Sequence, residues 1–168
     1  TVDSSAPADV SGSLRAVYFT ASQMQDSAGL PALLDKAAAA GFNAVLFDLK
    51  DQTGKIHYAS ATPLAQQAKA VAADAMSLDA LKSLVQTLKG KGFAGIPRLY
   101  AFKDATSPFA LSSAKILLDD TSGYTWLDNS KDKGGKPWLN PYSADAHQYI
   151  IGLAKELASA GFSAVMLD

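Results

Sequence analysis

The sequence AAAAGFNAVLFDLK spans residues 37–50 and joins an alanine-rich helical stretch to an apolar run. The same arrangement returns at residues 88–102, LKGKGFAGIPRLYAF, and at residues 157–168, LASAGFSAVMLD. In each copy a glycine, which tolerates the left-handed backbone at a helix C-terminus, precedes a phenylalanine and the apolar run. The repeat therefore predicts helices that lead directly into strands.

The apolar runs are nearly continuous, which is typical of parallel strands that are covered on both faces. They predict strands at residues 43–49, 94–101 and 162–167, with an earlier strand at 14–20, LRAVYFT. Helical periodicity predicts helices at residues 30–40, at 78–88 behind a Ser77 cap and at 150–157 behind a Ser143 cap, and a short helix near 108–117.

Strands that alternate with helices indicate an α/β fold. Four parallel strands are half of a (β/α)8 TIM barrel, which typically needs about 250 residues, whereas this chain has 168. We therefore predict the N-terminal half of such a barrel, and we expect the missing C-terminal half, or another chain, to cover the edge of the fourth strand. A small open sheet of the flavodoxin type is the alternative.

Composition limits the classes of protein and partner. Residues 1–13, rich in Ser, Ala and Pro, predict a flexible linker ahead of a domain at 14–168. The net charge is −1 without a basic run, so nucleic acid is not an expected partner. No stretch approaches the roughly 18 apolar residues of a membrane-spanning helix. The absence of Cys excludes disulfides and thiolate chemistry.

Charged residues follow the predicted strands at their carboxyl ends, where α/β folds build their sites. Because burying an unpaired charge is costly, we expect neighbouring acids and bases to neutralise one another. An ion-pair network that only closes the top of the sheet is the alternative for any one of these residues. They are Asp48, Lys50 and Asp51 after the second strand, Arg98, Lys103 and Asp104 on and after the third, and Asp168 after the fourth.

Two insertions follow strands, at residues 52–76 and 119–142. The first contains an extended piece, KIHYAS, and an Ala/Gln stretch for which we expect a helix. The second contributes Trp138, Asn140 and Tyr142, a combination suited to stacking on sugar rings and to hydrogen bonding. A small core that pins the loop is the alternative reading of Trp138.

Neither a metal nor a cofactor is expected. His57 and His147 lie far apart in the sequence, without further ligands at a fixed spacing. No phosphate-binding glycine motif follows a strand.

The chain resembles the bacterial glycoside-hydrolase-like barrels of the putative glycosyl hydrolase domain family. The resemblance rests on RAVYFTASQM, NAVLFDLKDQTGKIHY, IPRLYAFKD, KPWLNPYS and GFSAVMLD, and it covers nearly the whole chain from residue 14. It implies a (β/α)8 barrel related to the α-amylase type, hydrolysis of O-glycosyl bonds in a polysaccharide or cell-wall glycan, and a location outside the cell or at the cell envelope.

The resemblance also implies functional residues. Asp168 falls where the family has an Asp at the end of the fourth strand, followed there by an aromatic residue and an Arg-Phe-Pro-like stretch, and it is the expected catalytic residue. The implied carbohydrate contacts are Asp48, Lys50 and Asp51 in D-x-K-D-x-x-G, Arg98, Lys103 and Asp104 in R-x-x-x-F-K-D, and Trp138, Asn140 and Tyr142 in W-x-N-P-Y.

Glycoside hydrolysis normally uses two carboxyl groups, about 5 to 5.5 Å apart for retention or 6.5 to 9.5 Å for inversion. Asp168 is the candidate nucleophile or transition-state stabiliser. The one Glu of the chain, Glu156, lies in the middle of a predicted helix and would face the barrel exterior. We therefore expect the second carboxyl to come from the missing half, and this chain alone to be inactive.

Two other functions compete with hydrolysis. Lys50 or Lys103, at strand ends, would suit a Schiff-base lyase, although nearby carboxylates would keep either amine protonated. A non-catalytic carbohydrate or cell-wall binding module would use Trp126, Trp138 and Tyr142 as a stacking platform.

Overall fold

The computed structural model describes residues 13–119 and 121–168, so the predicted linker lies outside the described residues except for Ser13. The strands are β1 (Ala16–Tyr18), β2 (Ala44–Lys50), β3 (Ile56–Tyr58), β4 (Val71–Met76), β5 (Ala94–Leu99) and β6 (Met166–Leu167). The helices are α1 (Ala21–Gln25), α2 (Leu30–Ala39), α3 (Pro63–Gln67), α4 (Leu78–Gly90) and α5 (Ala144–Ala160).

Four strands lie side by side in chain order and run parallel. β2 pairs with β1 on one side and with β5 on the other, and β5 pairs in turn with β6. α2, α4 and α5 each precede the next of these strands, as in successive units of a barrel. The predicted α/β fold with four parallel strands is confirmed.

The glycine repeat ends the helices as predicted. Gly161 closes α5 with φ of 106°, and its N–H donates to the carbonyl groups of Leu157 and Ala158. The chain then turns at once, and the buried Phe162 packs its ring 5.9 Å from that of Phe47 on β2. A glycine with positive φ therefore couples the helix end to the first core residue of the next unit.

The core lies on one face of the sheet. Phe47 and Leu49 of β2 are buried, together with Leu84 and Leu88 of α4 and Leu153 of α5. The alternate side chains of the strands, such as Leu46 and Asp48 of β2 and Arg98 of β5, are only partly buried, so the opposite face is the more open one. This arrangement differs from the expectation of strands covered on both faces, and it leaves polar side chains of the strands accessible.

The insertions differ in part from the prediction. KIHYAS forms β3, which runs antiparallel to β2, and the Ala/Gln stretch forms the short α3. β4 was not predicted, because its sequence VAADAM has a single β-branched residue, Val71, and lacks the regular alternation that indicates a strand. Where a short helix was predicted near 108–117, the chain forms two single 3-10 turns, Ser107–Phe109 and Ser112–Ala114.

Candidate active site

Three predicted site residues meet on the open face, where Arg98 lies between two carboxylates. Arg98 Nε donates to Asp48 Oδ1 at 2.6 Å and Arg98 Nη2 to Asp48 Oδ2 at 3.1 Å. Arg98 Nη1 donates to Asp168 Oδ2 at 3.3 Å. One guanidinium therefore holds Asp48 in a bidentate contact and Asp168 in a single contact.

The register of the sheet explains this meeting. Asp48 of β2 is the lateral partner of Arg98 on β5, and Arg98 is the partner of Met166 on β6. Asp168 comes two residues after Met166 and therefore points to the same face. Its backbone continues the ladder, since its N–H donates to the Leu99 carbonyl at 3.0 Å.

Two tyrosines complete the group. The Tyr18 hydroxyl donates to Asp48 Oδ2 at 2.9 Å. The Arg98 guanidinium carbon lies 5.5 Å from the ring centre of Tyr18 and 4.8 Å from that of Tyr100. We call Tyr18, Asp48, Arg98, Tyr100 and Asp168 the rim cluster. Its aromatic rings and paired charges offer both apolar and polar contacts to a ligand.

Electrostatics fix the protonation states of Arg98 and Tyr18 in the rim cluster. The hydrogen bond to Asp48 raises the pKa of Arg98 above its already high value, so the guanidinium stays charged. Burial, together with the hydrogen bond to Asp48 and the charge of that carboxylate, raises the pKa of the Tyr18 hydroxyl, which therefore remains a donor. The Asp168 side chain is 41% exposed against 16% for Asp48, so Asp168 is the more accessible carboxylate.

Lys50 and Asp104 form a second, enclosed pair. Lys50 Nζ lies 3.0 Å from Asp104 Oδ2, and both side chains are 0% exposed. The contact is ionic rather than a well-aligned hydrogen bond, and Lys50 donates instead to the Tyr100 carbonyl at 2.6 Å. Burial lowers the pKa of Lys50, with Asp104 acting in the opposite direction. Neither side chain reaches solvent, so contact of Lys50 or Asp104 with carbohydrate stays a prediction, and the bond of Lys50 to the Tyr100 carbonyl connects the pair to the rim cluster.

A tight turn after β2 holds Asp51 against His57. Asp51 Oδ1 accepts from the Thr53 amide and hydroxyl at 2.8 and 2.6 Å, and Asp51 Oδ2 lies 2.9 Å from His57 Nε2. Burial would raise the pKa of Asp51, but the hydrogen bonds from His57 and Thr53 outweigh it and hold that pKa below its usual range. Gly54 closes the turn with φ of 86°, and a Cβ there would lie 1.9 Å from Asp104 Oδ1. The turn and the enclosed pair therefore form one unit.

The remaining predicted contacts lie outside the rim cluster. Trp138 is half-buried, donates its indole N–H to Asp128 Oδ2 at 3.2 Å and forms a bridge with Lys103. The Asn140 side chain accepts from the Tyr142 amide at 2.9 Å, and Tyr142 is 93% exposed. These residues shape the loops around the carboxyl end of β5, and their contact with carbohydrate stays a prediction.

Sequence reasoning missed Tyr18, Tyr100 and His57 as neighbours of the predicted charges. Tyr18 lies on the strand at 14–20, and its direction follows only once the pairing of β1 with β2 is known. The sequence did not show that His57, which is 18% exposed, pairs with Asp51. An acidic residue beside a turn and a histidine six positions later was the available signal for the Asp51–His57 pair.

Within residues 13–119 and 121–168, no group of three or more His, Asp or Glu side chains has the arrangement of a metal site. None of the described helices is long and apolar enough to cross a membrane.

Solved structures relate this fold to glycoside hydrolases. A hypothetical protein from Ruminiclostridium thermocellum ATCC 27405 is 26% identical with a TM-score of 0.76, over 90% of this chain and 75% of that one. The chitobiase of Flavobacterium johnsoniae is 15% identical with a TM-score of 0.64, over 92% of this chain and 23% of that one. A maltogenic α-amylase of Thermotoga neapolitana is 12% identical with a TM-score of 0.63, over 92% of this chain and 39% of that one.

The two enzymes are TIM-barrel glycoside hydrolases of which this chain spans only a part, so the described strands form a partial barrel. Similar folds also occur in β-N-acetylhexosaminidases. No curated protein sequence matches the chain significantly. The family profile described as "Putative glycosyl hydrolase domain" matches residues 16–168. Since that match covers nearly the whole chain, the protein belongs to the putative glycosyl hydrolase domain family.

Proposed function

We propose that the rim cluster is one half of the active site of a glycoside hydrolase, with Asp168 as nucleophile or transition-state stabiliser. The observation that carries the proposal is the shared guanidinium of Arg98, which binds Asp48 and Asp168 on the open face at the carboxyl ends of parallel strands. In a TIM barrel this end of the strands carries the catalytic residues.

The contacts of Arg98 suit Asp168 to that role. Asp48 fixes the guanidinium through two hydrogen bonds, and the remaining Nη1 holds Asp168. Arg98 thus places a fixed positive charge 3.3 Å from Asp168 Oδ2. An ionised carboxylate beside the sugar ring stabilises the oxocarbenium-like transition state or attacks it covalently. Tyr18 and Tyr100 supply aromatic surface for the ring.

The second carboxyl comes, in this proposal, from the other half of the barrel. Within the described residues, Glu156 accepts from Ser60 Oγ at 2.6 Å and from the Ala61 amide at 2.8 Å. Asp104 is enclosed with Lys50. Neither carboxyl is therefore available as a general acid beside Asp168, and the C-terminal half that we expect to cover the open face would supply one.

The neighbouring enzymes suggest the first substrates to test, namely β-N-acetylhexosaminides and α-glucans. Hydrolysis by the natural gene product is expected to fall about a thousandfold or more in Asp168→Asn, because a residue that acts in the transition state is removed. Asp79→Asn is the matched control, since that side chain is 96% exposed on α4. Equal loss in both variants, or none in Asp168→Asn, would overturn the proposal.

The 168-residue chain by itself is expected to show no hydrolysis of these substrates. If this chain alone hydrolysed these substrates and Asp168→Asn abolished that hydrolysis, the proposal that the second carboxyl comes from outside the chain would be wrong. Glycan binding that persists in Asp168→Asn but is lost in Trp138→Ala would instead favour a non-catalytic binding module. Action on an extracellular or cell-envelope polysaccharide is part of the proposal, and it rests on the family membership alone.

A further inference from the structure

A polar groove of about 440 Å³ lies among the loops at the same end of the sheet as the rim cluster. This volume lies within the range of roughly 300 to 1,000 Å³ that is usual for ligand sites. Three segments line it: the turn after β2, the chain after β5 and residues 128–137. We call it the lysine groove. Its polar lining includes Thr53, Lys103, Asp128, Asn129, Lys133 and Lys136.

The floor of the lysine groove is a junction between two loops. The Thr53 carbonyl accepts from the Ala105 amide at 3.2 Å and from the Thr106 hydroxyl at 2.8 Å. Thr53 is itself held by Asp51 through its amide at 2.8 Å. The floor is therefore continuous with the turn that carries the predicted site residue Asp51.

One wall of the lysine groove is the loop at residues 128–137, which is held by hydrogen bonds between its own residues. The Asp128 amide donates to the Lys136 carbonyl at 3.0 Å, and the Gly135 amide donates to the Ser130 carbonyl at 3.0 Å. The loop is so tight that a Cβ on Gly135 would lie 1.9 Å from the Asn129 carbonyl oxygen. These contacts hold Lys133 and Lys136 on a fixed backbone and reduce the ordering that a ligand would have to impose.

The charge of the lysine groove is positive in a chain whose net charge is −1. Lys103, Lys133 and Lys136 have no ion-pair partner within 4.0 Å among the residues that the structure describes. Asp128 is the acidic member of the lining. Its two oxygens accept from the Lys136 amide at 2.7 Å and from the Trp138 indole at 3.2 Å. The lining therefore contains three lysines and one carboxylate, and that carboxylate is already hydrogen-bonded.

We propose that the lysine groove is a subsite for an anionic substituent, a carboxylate, sulfate or phosphate, of the glycan. Ammonium groups bind such anions as point charges, and Asn129 and Thr53 add groups that can hydrogen-bond to sugar hydroxyls. That the ligand is a glycan rests on the proposed function. The subsite extends that function by naming an acidic polymer as the substrate class.

The test measures binding to the natural gene product by calorimetry, with oligogalacturonate, heparin-derived and neutral chitin oligosaccharides of equal length. Inorganic sulfate and a single-stranded oligonucleotide serve as further probes. We expect the acidic oligosaccharides to bind more tightly than the neutral one, and their affinity to fall when the salt concentration is raised. We expect Lys133→Gln/Lys136→Gln to weaken acidic binding about tenfold or more, since charge-assisted hydrogen bonds are lost.

Lys36→Gln/Lys155→Gln is the matched control, because it removes the same number of charges from exposed helix positions on α2 and α5. Thermal melting verifies that both double variants are folded. The proposal would be overturned if the two double variants lost the same affinity for acidic oligosaccharides, or if neutral and acidic oligosaccharides bound equally well. Tighter binding of the oligonucleotide or of free sulfate would also overturn it. Hydrolysis that depends on Asp168 but shows no preference for acidic glycans would overturn the subsite alone and leave the proposed function intact.

Discussion

Lys50 shows how one local irregularity changes the role of a residue that the sequence places correctly. Alternation along β2 would put Lys50 on the same face as Asp48. The register with β5 shifts between Asp48 and Lys50, and Lys50 Nζ instead lies 5.8 Å from the centre of the Tyr149 ring on the buried side. Such a bulge re-aims a side chain. It therefore separates the accessible rim cluster from the enclosed Lys50–Asp104 pair.

The enclosed pair predicts a characteristic pattern of stability. Lys50→Met is expected to lower the free energy of unfolding by about 3–5 kcal/mol, because it leaves the Asp104 carboxylate buried without its cation. Lys50→Met/Asp104→Asn removes both charges and keeps an oxygen for the amides of Thr106 and Ser107, so it is expected to be more stable than the single variant. Urea unfolding measures both. A double variant no more stable than Lys50→Met would contradict the ion pair as the source of the loss.

The Asp51–His57 pair predicts how stability depends on pH. The hydrogen bond to Asp51 raises the pKa of His57, with burial opposing it, and the charges of Asp51, Asp74 and Asp48 act in the same direction as the bond. A raised pKa means that His57 contributes stability fully below its unfolded pKa of about 6.5 and loses it as pH rises through the folded pKa. The lowered pKa of Asp51 contributes stability above about pH 4, which is lost on acidification.

His57→Gln is therefore expected to destabilise the protein more at pH 5.5 than at pH 9, the two conditions being about one unit below and well above the ordinary His pKa. Urea unfolding at both values provides the measurement, and NMR titration of the His57 ring should show a pKa above the ordinary value. His147→Gln is the control, since that ring contacts the Pro141 carbonyl at 2.6 Å and has no ion pair with a carboxylate in the part of the chain that the structure describes. An equal loss at both pH values would refute the pairing.

At the level of elements, α5 holds the loop after β3 through one side chain. Glu156 accepts from the Ser60 hydroxyl at 2.6 Å, from the Ala61 amide at 2.8 Å and from the Thr62 hydroxyl at 3.2 Å. The sequence places Glu156 correctly in a helix and away from the site. It did not indicate this role, because the three donors lie more than 90 positions earlier in the chain.

Glu156→Ala is expected to lower the free energy of unfolding by about 2–3 kcal/mol, because three hydrogen bonds to a charged acceptor are lost, one of them from the Ser60 hydroxyl, and Ser60 is 1% exposed. Glu156→Gln keeps one acceptor oxygen and should lose less. Hydrogen exchange of the Ala61 amide reports the loop directly and should accelerate in both variants. Lys155→Ala, one position earlier on the exposed side of α5, should leave that amide unchanged.

Elements differ in how well the sequence predicts them. The strands β2 and β5 begin within one residue of the predicted positions, because a glycine followed by a phenylalanine marks each start locally. β6 begins at Met166, four residues after the predicted start at 162. β4 forms through its pairing with β3, and the register of that pairing shifts between Ile56 and Tyr58. The sequence VAADAM does not by itself indicate a strand. Local signals therefore predict the barrel units, whereas strands that form only through pairing escape sequence analysis.

For the whole molecule, the partial barrel leaves apolar surface at one side of the sheet. Leu167 of β6 is 58% exposed and Ile151 of α5 is 51% exposed. Between them lies a hollow of about 290 Å³, which is lined also by Ala101, Phe102 and Ile150. An exposed apolar patch beside the unpaired edge of a strand favours association with another chain. Further strands and helices of a whole barrel would fit the same surface.

The 168-residue chain is therefore expected to self-associate in a concentration-dependent manner, which sedimentation measures. Ile151→Lys/Leu167→Lys should increase the monomer fraction and raise the dissociation constant about tenfold or more. Charged side chains at an edge oppose strand pairing, and here they would also make the apolar hollow polar. Phe109→Lys is the matched control, since Phe109 is 68% exposed but does not line the hollow. If Phe109→Lys dissociates the chain as effectively, association comes from general surface hydrophobicity. If the wild-type chain stays monomeric at all concentrations, the edge of β6 is stable without a partner, and the argument that further chain covers this edge fails.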